Sequence, residues 1–216
     1  MHRQKLFDVQ DLSRIHSLIR EHALGTLILQ AEGHIYVDHL PFVLETSSNG
    51  LGLLRTHAAK DNRFWATLPD AIDCTVVFTG PDAYISPSWY PSRRQHGRVQ
   101  PSWYYSVVHA HGKLRFVRDP QALSASIRTM TDYFENDRSD AWRVDEAPQH
   151  FIDVLIDHIV GLDIEITDLV GKWQVGQQRN QVDRQGIVTA LLRTEKTSEQ
   201  KLVDQILAAA IVRCSR

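Results

Sequence analysis

Between residues 24 and 117 the chain passes through six short β-rich segments: Leu24–Gln30, His34–Glu45, Leu51–His57, Cys74–Gly80, Ala83–Ser86 and Tyr104–Val117. Turn signals such as Ala31-Glu32-Gly33 and Ser47-Ser48-Asn49-Gly50 separate them, because Gly, Asn and Ser suit the backbone of a close reversal. Strands spaced this closely, with no regular βαβ rhythm, are expected to form an antiparallel barrel. In the last segment Val107, His109, His111 and Lys113 share one strand face, with Val108 and Ala110 on the other.

Helical spacing marks the flanks. Val9, Leu12, Ile15, Leu18 and Ile19 recur at helical intervals, with Asp8 or Asp11 available as a cap. A short helix is expected within the β run at Lys60–Leu68. After Asp119-Pro120 the pattern turns helical at Leu123, Ile127, Met130 and Phe134, and again after Pro148 at Phe151, Leu155 and Ile159. Gly161–Leu169 alternates as a strand returning to the sheet. Ser198–Ile211 reads as a helix suited to packing on the domain or on a partner subunit. The expected class is mainly β with added helices (α+β): a single domain over residues 1–216, helical at roughly 118–160 and 178–216.

With 216 residues, 43% hydrophobic and 23% charged, the chain can bury a proper core. Its net charge of −2 gives nucleic-acid binding no support, and no helix-turn-helix pattern is present. Cys74 and Cys214 stand far apart in no CxxC spacing, which argues against a disulfide framework and fits a reducing cytoplasm. The opening MHRQKLFDVQ has no apolar run, and no stretch has the length of a membrane span. A cytoplasmic protein without membrane contact is therefore expected.

Three stretches could carry chemistry. In "LLRTHAAKDNRFW", Arg55, Thr56, His57, Lys60 and Asn62 gather cations and a hydroxyl where a strand ends and a helix is expected to start, a natural setting for a phosphate. The same residues also describe a solvated charged turn. In "ISPSWYPSRRQHGRVQPSWYY", Pro-Ser-Trp-Tyr occurs at Pro87–Tyr90 and Pro101–Tyr104 around Arg93, Arg94, His96 and Arg98. The likeness does not extend into the flanks, so this is no structural repeat. Its aromatic content argues for an ordered loop, with Trp89 and Trp103 either bordering a planar ligand or anchoring the loop to the core. In "GKWQVGQQRNQVDRQG" the glutamines could read the edge of a ring, or could simply line a polar surface loop. His109 and His111 could share a metal, but no third ligand stands at a recognisable spacing. No Gly-x-Ser-x-Gly elbow, Walker motif or dinucleotide fingerprint is present.

In series, "VDHLPFVLE", "THAAKDNRFW", "GPDAYISPSWY" with "PSWYYSVVHAHG", and "GKWQVGQQRNQVDRQG" resemble the PaiB-like family of FMN-binding negative transcriptional regulators. The resemblance covers about residues 5–195. It implies a six-stranded antiparallel split β-barrel of the FMN-binding type, similar to pyridoxamine-phosphate oxidases and flavin reductases, forming a homodimer with flavin near the subunit interface. It places Thr56, His57, Lys60 and Asn62 on the phosphate side, with Arg55 beside them. His39, Leu40, Pro41 and Phe42 fall on the strand whose backbone meets the ring. Ser86, Ser88 and Trp89 fall in the aromatic loop, and Lys172, Gln177 and Gln178 in the family's Lys…Ser-Gln-Asn segment. The chain departs from the family pattern with Lys60 for an arginine, with Asp61 beside it, and with Gly176 before Gln177-Gln178.

DNA as a partner is implied by the family name alone. Two other functions fit the same fold: a flavin-dependent oxidoreductase, with His57 or His109 as its candidate acid or base, and a haem-binding barrel with an axial histidine.

Overall fold

The computed structural model describes residues 1–2, 4–61 and 68–214, with side-chain burial up to residue 209. Asn62 and most of the helix expected at Lys60–Leu68 lie outside the described residues.

Eight strands are present among the described residues, rather than six: β1 (Asp8–Val9), β2 (Leu24–Ala31), β3 (His34–Pro41), β4 (Val43–Glu45), β5 (Leu53–Ala59), β6 (Ala71–Ile85), β7 (Ser102–Val117) and β8 (Ile159–Gln174). Helices occupy Leu12–Glu21, Arg93–His96, Pro120–Glu135, Gln149–Asp157, Gln181–Leu191 and Thr197–Cys214. The protein is an α+β protein built on an antiparallel sheet. Its chain forms two compact units, one from residues 19–78 and 109–169, the other from residues 1–18, 79–108 and 170–216.

In the first of these units the strand order is β3-β2-β6-β7-β8-β5-β4. β2 and β3 form a hairpin, with Leu24 opposite Pro41 and Ala31 opposite His34. Its turn places Glu32 and Gly33 at φ 49° and 78°, as the Glu-Gly signal predicts. β5 runs antiparallel to β8, from Leu53 opposite Glu165 to Ala59 opposite Ile159. Alternation sends Leu27, Leu29, Val76, Phe78, Leu114, Leu162 and Ile164 into the core. The segment His34–Glu45, expected as one strand, is interrupted at Phe42. There the backbone N–H donates to Ala23 at 2.8 Å, and the ring turns inward to meet Phe78 edge-on at 5.8 Å. Asp119 caps the helix Pro120–Glu135 by accepting from the Ala122 N–H at 2.8 Å, with Pro120 pre-set for the first turn. Leu123 of that helix packs with Val144, Ile152 and Ile156 in a second apolar cluster.

In the other unit β1 pairs with the end of β8, setting Asp8 opposite Lys172 and Val9 opposite Gly171. Two expectations are corrected here. Ala83–Ser86 is not a separate strand, because β6 runs unbroken through Gly80-Pro81-Asp82. Gly80 breaks nothing; a Cβ there would lie 2.3 Å from the Ser106 hydroxyl, so the glycine permits close strand approach. Nor is Gly171–Gln174 a polar surface loop: it is the end of β8, with Lys172 and Trp173 buried. No helix among the described residues is long and apolar enough to cross a membrane.

Candidate functional site

Strand alternation decides what β5 can offer. Thr56 is fully buried, and its hydroxyl donates to the His57 carbonyl at 3.5 Å. Arg55, on the opposite strand face, is committed to two carboxylates. Its Nε and Nη2 donate to Asp163 at 2.9 and 3.1 Å, and its Nη1 donates to Glu45 at 2.7 Å. Those acids, Asp163 foremost, hold its pKa above the ordinary arginine value. Lys60 donates from Nζ to the Asp157 carbonyl at 2.8 Å, where the end of the helix Gln149–Asp157 favours a cation. Among the phosphate-side residues, Arg55 and Lys60 thus already have partners inside the chain.

His57 is different. Its ring lines a cleft of about 400 Å³ together with Pro41, Met130, Phe134, Glu135 and Trp142. Its Nδ1 is shut off from solvent with no hydrogen-bond partner among the described residues, and burial pushes its pKa below 6.5. A histidine in that state is uncharged at neutral pH. Two residues assigned to the flavin, Pro41 of β3 and His57 of β5, are brought together here. The neighbouring His39 is exposed, its N–H bonded to the Asp38 carboxylate at 2.8 Å, and Leu40 is half-buried.

Along β7, His109 and His111 lie with ring centroids 6.2 Å apart. His111 Nδ1 bonds the Thr75 hydroxyl at 2.8 Å, and burial lowers the pKa of His109. No group of three or more potential metal ligands occurs among the described residues. Cys74 is a buried thiol whose pKa burial pushes up to about 12, which makes it inert as a nucleophile.

In the other unit the loop from Ser86 to Trp103 is ordered by contacts its sequence only partly advertises. Ser86 caps the short turn Pro87–Trp89 by accepting from the Ser88 N–H, and its hydroxyl lies 2.7 Å from that of Ser88. The anchors of the paired Pro-Ser-Trp-Tyr are its tyrosines, Tyr90 and Tyr104, which are fully buried, rather than its tryptophans. Trp89 is half-buried. Trp103 stays 53% exposed, pinned through Nε1 to Asp82 at 2.8 Å and meeting Tyr84 edge-on at 6.1 Å. Arg93, Arg94 and Arg98 are exposed, with no carboxylate partner among the described residues.

Lys172 is only 9% exposed, and its Nζ lies 5.2 Å from the centre of the Tyr105 ring. Gln177 is spent on its own turn, donating to the Trp173 carbonyl at 2.6 Å and accepting from the Val175 N–H at 2.9 Å. Gln178 is exposed. Arg179 lies over the Tyr90 ring at 4.7 Å, and the buried Tyr90 and Tyr104 hydroxyls neighbour each other and Arg179. Burial raises the pKa of Tyr104, so it remains a neutral phenol. Sequence reasoning missed Phe134, Glu135 and Trp142 as cleft residues. They belong to a helix end and a loop whose placement against β5 no local pattern announces.

Comparison with known proteins adds the lineage. A family model described as "Putative FMN-binding domain" matches residues 1–168. The chain is 26% identical over 204 residues to the protease synthase and sporulation protein PAI 2 of Bacillus subtilis, covering 94% of this chain and 95% of that one. It is 30% identical over 213 residues to the uncharacterised protein AN0679 of Emericella nidulans, covering 82% and 85% of the two chains. Among solved structures, the flavocytochrome Anf3 of Azotobacter vinelandii matches with TM-score 0.58 at 13% identity, over 81% of this chain and 72% of that one. The FAD and haem binding protein of Mycobacterium smegmatis matches with TM-score 0.56 at 16% identity, over 77% and 72%. These two likenesses concern the fold. The family match spans well over half of the sequence, and through residues 1–168 the chain belongs to the family described as "Putative FMN-binding domain".

Proposed function

We propose that the chain is a split-barrel protein that binds FMN as a homodimer. The observation that carries this reading is Lys172, a residue nine-tenths buried whose ammonium faces the Tyr105 ring and meets no carboxylate among the described residues. A cation taken out of water needs compensation beyond one aromatic face. A flavin offers it, through its phosphate or through the N1–O2 edge, where protein charge tunes the ring. Family membership supplies the cofactor class. The dimer is supported by β3, at the end of the strand order, where Ile35 and Val37 stand exposed on one strand face. Protein mixed with excess FMN and then desalted is expected to keep flavin absorbance bands, and Lys172→Met to lose them. A colourless wild-type protein would end this reading.

A regulatory role is a second reading. It is favoured by the relative named for protease synthesis and sporulation, and by the exposed cations Arg93, Arg94 and Arg98, which have no carboxylate partner among the described residues. Salt-sensitive binding to promoter DNA that weakens in an Arg93→Gln, Arg94→Gln variant is the expected result. Binding that ignores both salt and those residues would remove it.

A further inference from the structure

The cleft at His57 has a chemistry of its own. Its floor and sides are Pro41, Ile127, Met130, Phe134 and Trp142, and its polar groups are His57, Thr131 and Glu135. Phe134 and Trp142 remain 39% and 44% exposed, so two aromatic side chains are left partly wet at its rim. Ile127 packs on the apolar cluster of Leu123, Val144, Ile152 and Ile156, which gives the helical wall a firm backing.

The charged group among the described lining residues has partners. Among the described residues Glu135 is the one charged lining residue, and that carboxylate is occupied. One oxygen accepts the Trp142 backbone N–H at 3.1 Å and the other pairs with Arg138 at 3.3 Å. Glu135 therefore acts as a positioning residue that holds Trp142 at the rim. No cation lines the cleft among the described residues, and its histidine is uncharged at neutral pH. Among the described lining residues a phosphate would find no cation to neutralise it. A volume of about 400 Å³ suits a small molecule, and wet aromatic walls reward a flat apolar one.

We propose that this cleft binds an uncharged planar aromatic molecule of two fused rings bearing carbonyl or hydroxyl oxygens, of the naphthoquinone class, packed on Phe134 and Trp142 with an oxygen toward His57 and Thr131. This goes beyond the flavin reading, with which it shares Pro41 and His57.

The test uses the full chain freed of flavin and titrated with menadione (2-methyl-1,4-naphthoquinone) by equilibrium dialysis. Saturable one-to-one binding is expected, weakened about tenfold or more by Trp142→Ala and by Phe134→Ala. Should Trp142→Ala fail to fold, Phe134→Ala carries the same test from the exposed end of its helix. Glu135→Ala should weaken binding and Glu135→Gln restore it, since the amide oxygen can still accept the Trp142 backbone N–H. His57→Phe should weaken menadione but leave naphthalene, which has no oxygen, unchanged. Menadione that fails to saturate, or that binds Phe134→Ala as tightly as wild type, overturns the proposal. So does mole-for-mole competition by FMN, which would make the cleft the flavin's own ring site. A protein that retains no FMN yet binds menadione as described would contradict the flavin reading and leave this one standing.

Discussion

The Asp183 carboxylate accepts hydrogen bonds from both the backbone N–H and the hydroxyl of Ser92, at 3.0 and 2.8 Å. Both residues are only 4% exposed, and Asn180 closes the arrangement by donating to the same carboxylate at 3.1 Å. Asn180 also caps the helix Gln181–Leu191 by accepting from the Asp183 N–H at 2.8 Å. One buried acid thus fastens the arginine-bearing loop to a helix start some ninety residues later in the chain.

Ser92→Ala removes one donor from that carboxylate and is expected to cost about 1–3 kcal/mol. Urea unfolding measures the loss. Limited trypsin digestion should show faster cleavage after Arg93 and Arg94, because the loop is held from Ser92. Unchanged cleavage would mean that Tyr90 and Tyr104 order the loop without help.

Gly186 tests the same junction from the helix side. In an open helix Gly→Ala gains about 1 kcal/mol. Here the new Cβ would lie 2.3 Å from the Trp89 carbonyl oxygen and 2.7 Å from Pro91 Cδ, so the sign should reverse. Gly186→Ala is expected to lower the melting temperature; a rise would show that the loop yields easily.

What the sequence disclosed and what it hid follow one physical line. Local signals were legible: the Glu-Gly turn after β2, the Asp119-Pro120 helix start, and the alternation along β7. Features set by distant pairing were not. Gly80 looks like a breaker until Ser106 is seen against it, and Gly171–Gln174 looks like a polar loop until β1 pairs with it. At the site, the sequence marked Pro41, His57 and Lys172 by residue type and motif. It could not show that Asp163 and Glu45 occupy Arg55, or that a helix end brings Phe134 and Glu135 to His57.

Arg55 accordingly should behave as a structural residue. Arg55→Met strands two partly buried carboxylates and is expected to cost about 1–3 kcal/mol, discounted for their partial exposure. Flavin retention per folded molecule should match wild type. Lost retention in a folded variant would give Arg55 a direct role.

His57 and His109 both have pKa values lowered below 6.5, with burial the largest cause. Between the folded and unfolded pKa values the unfolded chain binds more protons, so stability rises with pH across that window. Above about pH 6.5 the two histidines should contribute no slope; as the pH falls below it, stability should decline and level off once the folded pKa values are passed. Urea midpoints between pH 7.5 and 5 check this, and His57→Gln should flatten part of the acid decline. A slope unaltered by that change would assign it to other groups.

The most direct measurement is a titration of FMN fluorescence with wild-type protein and with folded Lys172→Met and Lys172→Arg variants. If the buried ammonium serves the flavin, wild type should quench FMN stoichiometrically. Lys172→Met should weaken binding at least tenfold, about 1.4 kcal/mol, with Lys172→Arg in between. Equal affinity in wild type and a folded Lys172→Met protein would contradict the role of Lys172, and no quenching by wild type would contradict flavin binding itself.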